Sequence, residues 1–149
     1  MQRCAVATTS VGLNVKTNPE EVKAIDIIDK YYPEDDELKR LLLKHSGDVA
    51  QKALEIVRRH PELGADAQFV YDAAMLHDIG VRMTDAPGIH CHGIDPYILH
   101  GIDGGKMLRN EGLEALARVC ERHTGTGITI EQIRERKLPM PEADYSPET

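Results

Sequence analysis

Apolar residues recur at intervals of three and four along most of the chain, the spacing of helices that each bury one side. The first run holds Val22, Ile25 and Ile28. Asn18-Pro19-Glu20-Glu21 precedes it as a start signal, with Asn18 to cap, Pro19 at the first helical position and Glu21 at the capping-box site. Pro33 disfavours helical geometry just before itself, so this helix is expected to end near Tyr31-Tyr32. Asp35 opens a second helix, Glu37 to Lys44, with Leu38, Leu41 and Leu42 on one side. His45-Ser46-Gly47-Asp48 reads as an interruption. Ser46 then caps a third helix, whose apolar face of Val49, Ala53, Ile56 and Val57 runs as far as His60-Pro61.

Asp66 caps a fourth helix with Phe69, Val70, Ala73, Ala74 and Leu76 inward, ending at His77-Asp78 before Gly80. From Val81 to Pro96 the Gly, Pro and His content predicts a long loop, the kind of segment that often serves as a lid. A fifth helix is expected from Tyr97 or Ile98 to Asn110, with Gly104 permitting a close helix contact. A sixth, Leu113 to His123, buries Leu113, Leu116, Ala117 and Cys120. After Thr124-Gly125-Thr126-Gly127, a Thr129–Gln132 capping box starts a short seventh helix to about Lys137. The pattern predicts an all-α protein, a compact bundle of six to seven helices spanning 18–138. Residues 1–17 form a loose lead-in and 139–149 an irregular tail.

Composition narrows this further. A chain of 149 residues is long enough for one domain with a real core. It has no Trp and one Phe, so that core is aliphatic, which favours helix-on-helix packing over a sheet. The formal charge of −7, with no basic stripe, argues against a nucleic-acid polymer as partner. A small anionic substrate stays open, because local arginines can dominate a pocket. Cys4, Cys91 and Cys120 are odd in number and irregularly spaced, so no disulfide framework is expected and a reducing, cytoplasmic setting is. No stretch has the length of a membrane span, and Met1 to Val15 lacks the apolar segment of a signal peptide.

The chemistry concentrates in histidine. His77 and Asp78 stand at the end of a buried helix, where a backbone loosening before Gly80 lets both turn onto one ion. Imidazole nitrogen with carboxylate oxygen is a ligand set for first-row transition metals. His45, His100 and His123 fall on three other helical segments, and helical bundles build metal sites by projecting single ligands inward from facing helices. Each histidine alone is better explained as a hydrogen-bonded core residue; the four with Asp78 form a constellation. His90-Cys91-His92 alternates ligand types in the loop but lacks a fourth partner, so it reads as a lid segment from which His92 reaches the site. His60 is a helix-end histidine favoured by the dipole.

These segments resemble the HD-domain superfamily of metal-dependent phosphohydrolases, in the branch with a His-Asp-Ile-Gly signature. His45 within His-Ser-x-x-Val-Ala, Ala-Ala-Met-Leu-His77-Asp78-Ile-Gly80, His100-Gly-x-x-Gly-Gly and Glu121-Arg122-His123-Thr-Gly carry the resemblance, in that order. It implies an all-helical fold and a metal on His45, His77 and Asp78. In two-metal members Asp78 bridges and His100 with His123 hold the second ion. In one-metal members those two histidines lie near the substrate phosphate. The resemblance also implies phosphoester hydrolysis by a metal-activated water that Asp78 orients or deprotonates. Arg82 and His92 are expected on the substrate, a small phosphorylated compound such as a nucleotide. The ions implied are one or two divalent transition metals, Fe or Mn first, then Zn, Co or Ni. The family takes a further aspartate from a later helix, whereas Asp144 stands among prolines. Two other readings follow from the same resemblance, a nucleotide-sensing module without turnover and a di-iron oxygenase. A homo-oligomer is compatible with all of them.

Overall fold

The computed structural model describes residues 23–125 and 127–147. Six α-helices and one very short hairpin make up the regular structure among them. The expected helix start at Asn18 to Glu21 lies outside the described residues. The first helix, α1 (Ala24–Tyr31), buries Ala24, Ile27 and Ile28 and ends where Pro33 requires.

The next helix departs from the sequence reading. Two helices separated at His45–Asp48 are expected, yet α2 runs unbroken as Glu37–Arg59. Asp36 caps it through its carboxylate, which accepts from the Lys39 amide at 2.8 Å. Gly47 costs about 1 kcal/mol in a helix interior, too little to break a helix that buries Leu38, Leu42 and Ala50 along one side. Lys44 and Asp48, one turn apart and 2.8 Å from each other, further bridge the glycine. Ser46 is consequently no cap but a fully buried residue inside the helix. His45 sits mid-helix rather than at a junction.

Asp66 caps α3 (Ala67–Leu76) as its position demands, accepting from the amides of Gln68 and Phe69. Ala73, Ala74, Met75 and Leu76 are buried there, whereas Phe69 is partly exposed, contrary to its expected inward placing. It lies in the first turn, whereas the buried residues of α3 are the four of its last turn. The expected loop contains a 3-10 turn (Ile79–Met83) and the hairpin β1 (Asp85–Ala86) with β2 (Cys91–His92), pairing Asp85 with His92 and Ala86 with Cys91. A further 3-10 turn, Tyr97–Leu99, leads into α4 (His100–Asn110). Then come α5 (Glu114–Arg122) and α6 (Ile130–Arg136), the latter entered through the Thr129–Gln132 capping box.

One aliphatic core joins α1, α2, α3, α4 and α5, with Tyr32, Ile28, Leu76, Ile79 and Leu108 all but sealed from solvent. A smaller cluster of Ile102, Ile133 and Tyr145 fixes α6 and the following segment to α4. Tyr145 and Ile128 exchange backbone hydrogen bonds, so the segment after α6 is tied down at that point. Among the described residues no helix is long and apolar enough to cross a membrane.

Two glycines set how closely the elements approach. A Cβ on Gly80 would strike the His100 carbonyl oxygen and the Gly104 backbone, and one on Gly104 would strike the Cys120 sulfur. Gly80 is thus not a left-handed helix cap; its value is the absence of a side chain where the signature turn crosses α4. That crossing draws α4 and α5 up against the end of α3.

Candidate metal centre

The end of α3 explains how two adjacent residues meet one target. His77 still has helical angles (φ −58°, ψ −32°), while Asp78 leaves them (φ −105°, ψ 13°) for the 3-10 turn. The change of course brings the Asp78 carboxylate back beside the preceding ring, His77 Nε2 to Oδ2 being 3.2 Å. The turn itself is pinned from below. The buried Tyr32 hydroxyl donates to the Ile79 carbonyl at 2.7 Å, and the Thr84 hydroxyl donates to the Val81 carbonyl at 2.8 Å.

Three other rings reach the same carboxylate. His45 Nε2, from the middle of α2, lies 3.4 Å from Oδ2. His100 Nε2, from the first residue of α4, lies 3.4 Å from Oδ1, and His123 Nε2, just past α5, lies 3.1 Å from it. The potential ligands divide into two trios, His45–His77–Asp78 and Asp78–His100–His123, which share the aspartate. Such trios are compatible with a separate ion on each carboxylate oxygen.

Ring orientation carries the argument further. His77, His100 and His123 each present Nδ1 to the backbone carbonyl three residues earlier, at 2.7, 2.6 and 2.6 Å. A carbonyl only accepts, so Nδ1 holds the proton, and in the neutral ring Nε2 is left with a bare lone pair. The Nε2 atoms of His100 and His123 stand 3.0 Å apart. Two lone pairs at that distance repel unless a proton or a metal cation lies on them. Tyr97 adds a second hold on His100, stacking on its ring with centroids 4.6 Å apart. The residues fit a divalent transition metal by donor type, by tautomer and by burial.

The electrostatics agree with a site for positive charge. Burial alone would raise the Asp78 carboxyl, but hydrogen bonds from His100, His123 and His77 outweigh it and hold the group well below the usual carboxylate range. Burial would lower His77 and His100, yet the Asp78 carboxylate carries both above the ordinary imidazole value. A proton on these rings would compete with a metal ion for the same nitrogens.

The other residues singled out by sequence have contacts of their own. The Arg82 guanidinium is 3.6 Å from Asp36 at the start of α2 and lies over the Tyr32 ring, 5.3 Å from its centroid. His92 is exposed on β2 beside a hollow of about 250 Å³ that it lines with Asp36, Glu37, Leu38 and His90. In the hairpin region Cys91 is fully buried while His90 and His92 are exposed, and His90 pairs with Glu37 at 3.1 Å. His60 caps the end of α2 and bonds Glu62 at 2.8 Å. Asp144 accepts from Ser146.

Two hollows open on the centre. One, of about 220 Å³, has His45, Asp78 and Tyr97 among walls otherwise made of Leu38, Leu41, Leu42, Val81 and Ile89. The other, of about 680 Å³, has His123 in its wall with Phe69, Arg118, Arg122 and Val119. Tyr97, Phe69 and Arg118 do not stand out in the sequence. Only the placing of Tyr97 three residues before His100 signalled a role, and that needs the 3-10 turn to be known.

With this geometry in hand, comparison with known proteins gives two informative relatives. The chain is 32% identical over 139 residues to a Picrophilus torridus protein named tRNA (cytidine(56)-2'-O)-methyltransferase, a match covering 93% of this chain and 35% of that protein. It is 36% identical over 111 residues to an uncharacterized protein of Methanocaldococcus jannaschii, covering 72% of this chain and 58% of the relative. The chain thus spans about a third and somewhat over half of the lengths of these relatives. No family model matches it, and no solved structure does.

These findings correct the sequence reading in four respects. The identification with HD-domain phosphohydrolases has no matching family model behind it, and the named relative is a methyltransferase. Phosphoester hydrolysis, and with it the sensing and oxygenase alternatives, is overturned by the same relative, whose name states transfer of a methyl group. The expectation of a nucleotide-sized phosphorylated substrate falls likewise. The exclusion of a nucleic-acid polymer is overturned because that relative's name gives tRNA as what it acts on.

Proposed function

We propose that this chain is a helical metal-binding module that serves tRNA modification, working on or beside RNA whose ribose is methylated. The observation that carries the metal half is the convergence of four imidazole Nε2 atoms on the two oxygens of Asp78. His45, His77 and Asp78 would hold one divalent transition metal, and Asp78, His100 and His123 a second, with Fe or Mn ahead of Zn, Co and Ni. When bound, such an ion supplies positive charge to phosphate oxygens and lowers the pKa of a coordinated hydroxyl or water. The RNA half is supported by the match, over 93% of this chain, to a protein named as a tRNA 2'-O-methyltransferase.

The chain's own residues would do the holding. His77, His100 and His123 keep their lone pairs fixed by carbonyl bonds, so little rearrangement is required on metal entry. Tyr97 and the apolar walls beside it line the hollow on one side of the centre. A cytoplasmic setting is in keeping with Cys91 and Cys120, both free and buried.

The test has two readouts on the purified protein. Elemental analysis is expected to find transition metal that is lost in Asp78→Ala, and a tRNA transcript is expected to bind in a metal-dependent way. A parallel assay for methyl incorporation from a sulfonium donor establishes whether transfer itself resides in this chain. Absence of bound metal after reconstitution contradicts the metal half, and absence of tRNA binding contradicts the RNA half.

A further inference from the structure

The larger hollow, about 680 Å³, is not accounted for by metal binding. Its volume suits one nucleotide-sized group, since small-molecule sites commonly measure about 300–1,000 Å³. Phe69 is the chain's single phenylalanine and is 39% exposed there, on the first turn of α3. An apolar ring kept in the open at the edge of a cavity offers a face on which a planar base can stack. Across from it α5 contributes Arg118 and Arg122, one turn apart and so on one side of the helix. Glu114 also lines the hollow, but its carboxylate is held by Arg109 at 2.9 Å, which offsets its charge toward an anion. His123 belongs both to this wall and to the trio around Asp78.

The chemistry across the hollow therefore changes from aromatic to cationic to metal-binding. We infer that it receives one unpaired nucleotide of an RNA strand, the base lying on Phe69 and the phosphate on the Arg118 and Arg122 side, next to His123. This rests on the reading of RNA as partner and deepens it by naming the surface. A duplex is the poorer occupant, because an A-form helix hides its base faces and offers only backbone and a shallow groove. An unpaired nucleotide can turn its base into a concavity, and guanidinium groups match phosphate oxygens in fork geometry.

The experiment measures affinity of the full chain, as purified with its metal, for a tRNA transcript and for a single-stranded RNA oligomer, across a salt series. Phe69→Ala is expected to weaken the oligomer about tenfold and Phe69→Tyr to restore it, in keeping with stacking on an aromatic face. Arg118→Ala is expected to weaken binding and reduce the salt slope by about 0.7, the release expected for one phosphate contact on a single strand. An RNA duplex of the same length is expected to compete poorly. Metal content and helical signal measured on each variant show that the fold is kept; Arg118→Glu, on an exposed residue, gives a second check with a larger loss. Wild-type binding of tRNA that Phe69→Ala and Arg118→Glu leave unchanged, or equal competition by the duplex, overturns this inference while the RNA reading stands. No binding of tRNA by the wild type removes the RNA reading and this inference together.

Discussion

The two trios around Asp78 are built differently. On the inner side His100 is 6% exposed and His123 20%, each with Nδ1 locked on a carbonyl, and their Nε2 atoms already lie 3.0 Å apart. On the outer side His77 is locked in the same way, but His45 projects from the middle of α2 with half of its side chain in solvent. The inner trio is thus organised before an ion arrives, whereas the outer one must still order a ring. Preorganisation lowers the entropy lost on binding. The inner position is expected to hold its ion more tightly and the outer one to exchange it more readily.

The largest effect belongs to the residue both sides share. Asp78→Ala is expected to empty both positions, with metal content falling to near zero by elemental analysis. Loss of a single ion in that variant would show that the trios are independent. Removing one inner ring comes next: His100→Ala is expected to reduce two ions per chain to one, the survivor being on the His45–His77 side.

Gly80→Ala tests whether the tight crossing supports both trios at once. Its methyl group meets backbone atoms of α4 that cannot rotate away. Overpacking of this sort costs about 1–3 kcal/mol, to be read as a lower midpoint of thermal or urea unfolding. Metal affinity should fall on both sides, because Asp78 and His100 are pushed apart. The smallest effect is that of His45→Ala, expected to weaken the outer ion while leaving the inner one and the unfolding midpoint unchanged.

Acidity should act on both trios. His77 and His100 bind protons above the ordinary imidazole range, burial opposing this and the Asp78 carboxylate prevailing. Metal must displace those protons, so affinity rises as pH increases through that range and falls on acidification. A titration showing metal affinity independent of pH between 5 and 8 would contradict ligation through these rings.

Much of the helical plan could be read from residue spacing. Asp66, the Thr129–Gln132 box and Pro33 each mark a boundary by a local mechanism, and each does so in the structure. The break expected at His45–Asp48 fails because tertiary burial of Leu38, Leu42 and Ala50 outweighs a single glycine, a balance that local signals do not contain. Phe69 misleads for a related reason: an apolar residue at helical spacing normally faces the core, and only the packing of its neighbours shows that it does not. The histidines and Asp78 were legible as possible ligands through residue type, and His77, Asp78, His100 and His123 also through their placing at helix ends, whereas His45 stands in mid-helix. What the ions serve was not, since a ligand set fixes coordination and leaves the reaction open. The net charge of −7 pointed away from RNA, whereas the relative matched over 93% of this chain is named for acting on tRNA; a whole-chain sum does not describe one local surface.

The central claim, that imidazoles from four helical segments surround a cation-holding carboxylate, is tested most directly by anomalous diffraction from crystals reconstituted with manganese or iron. The account predicts two anomalous peaks, one beside each oxygen of Asp78, the inner one at higher occupancy and within bonding distance of His100 and His123. Crystals grown with saturating metal that show no peak at Asp78, or rings turned away from its carboxylate, would contradict it.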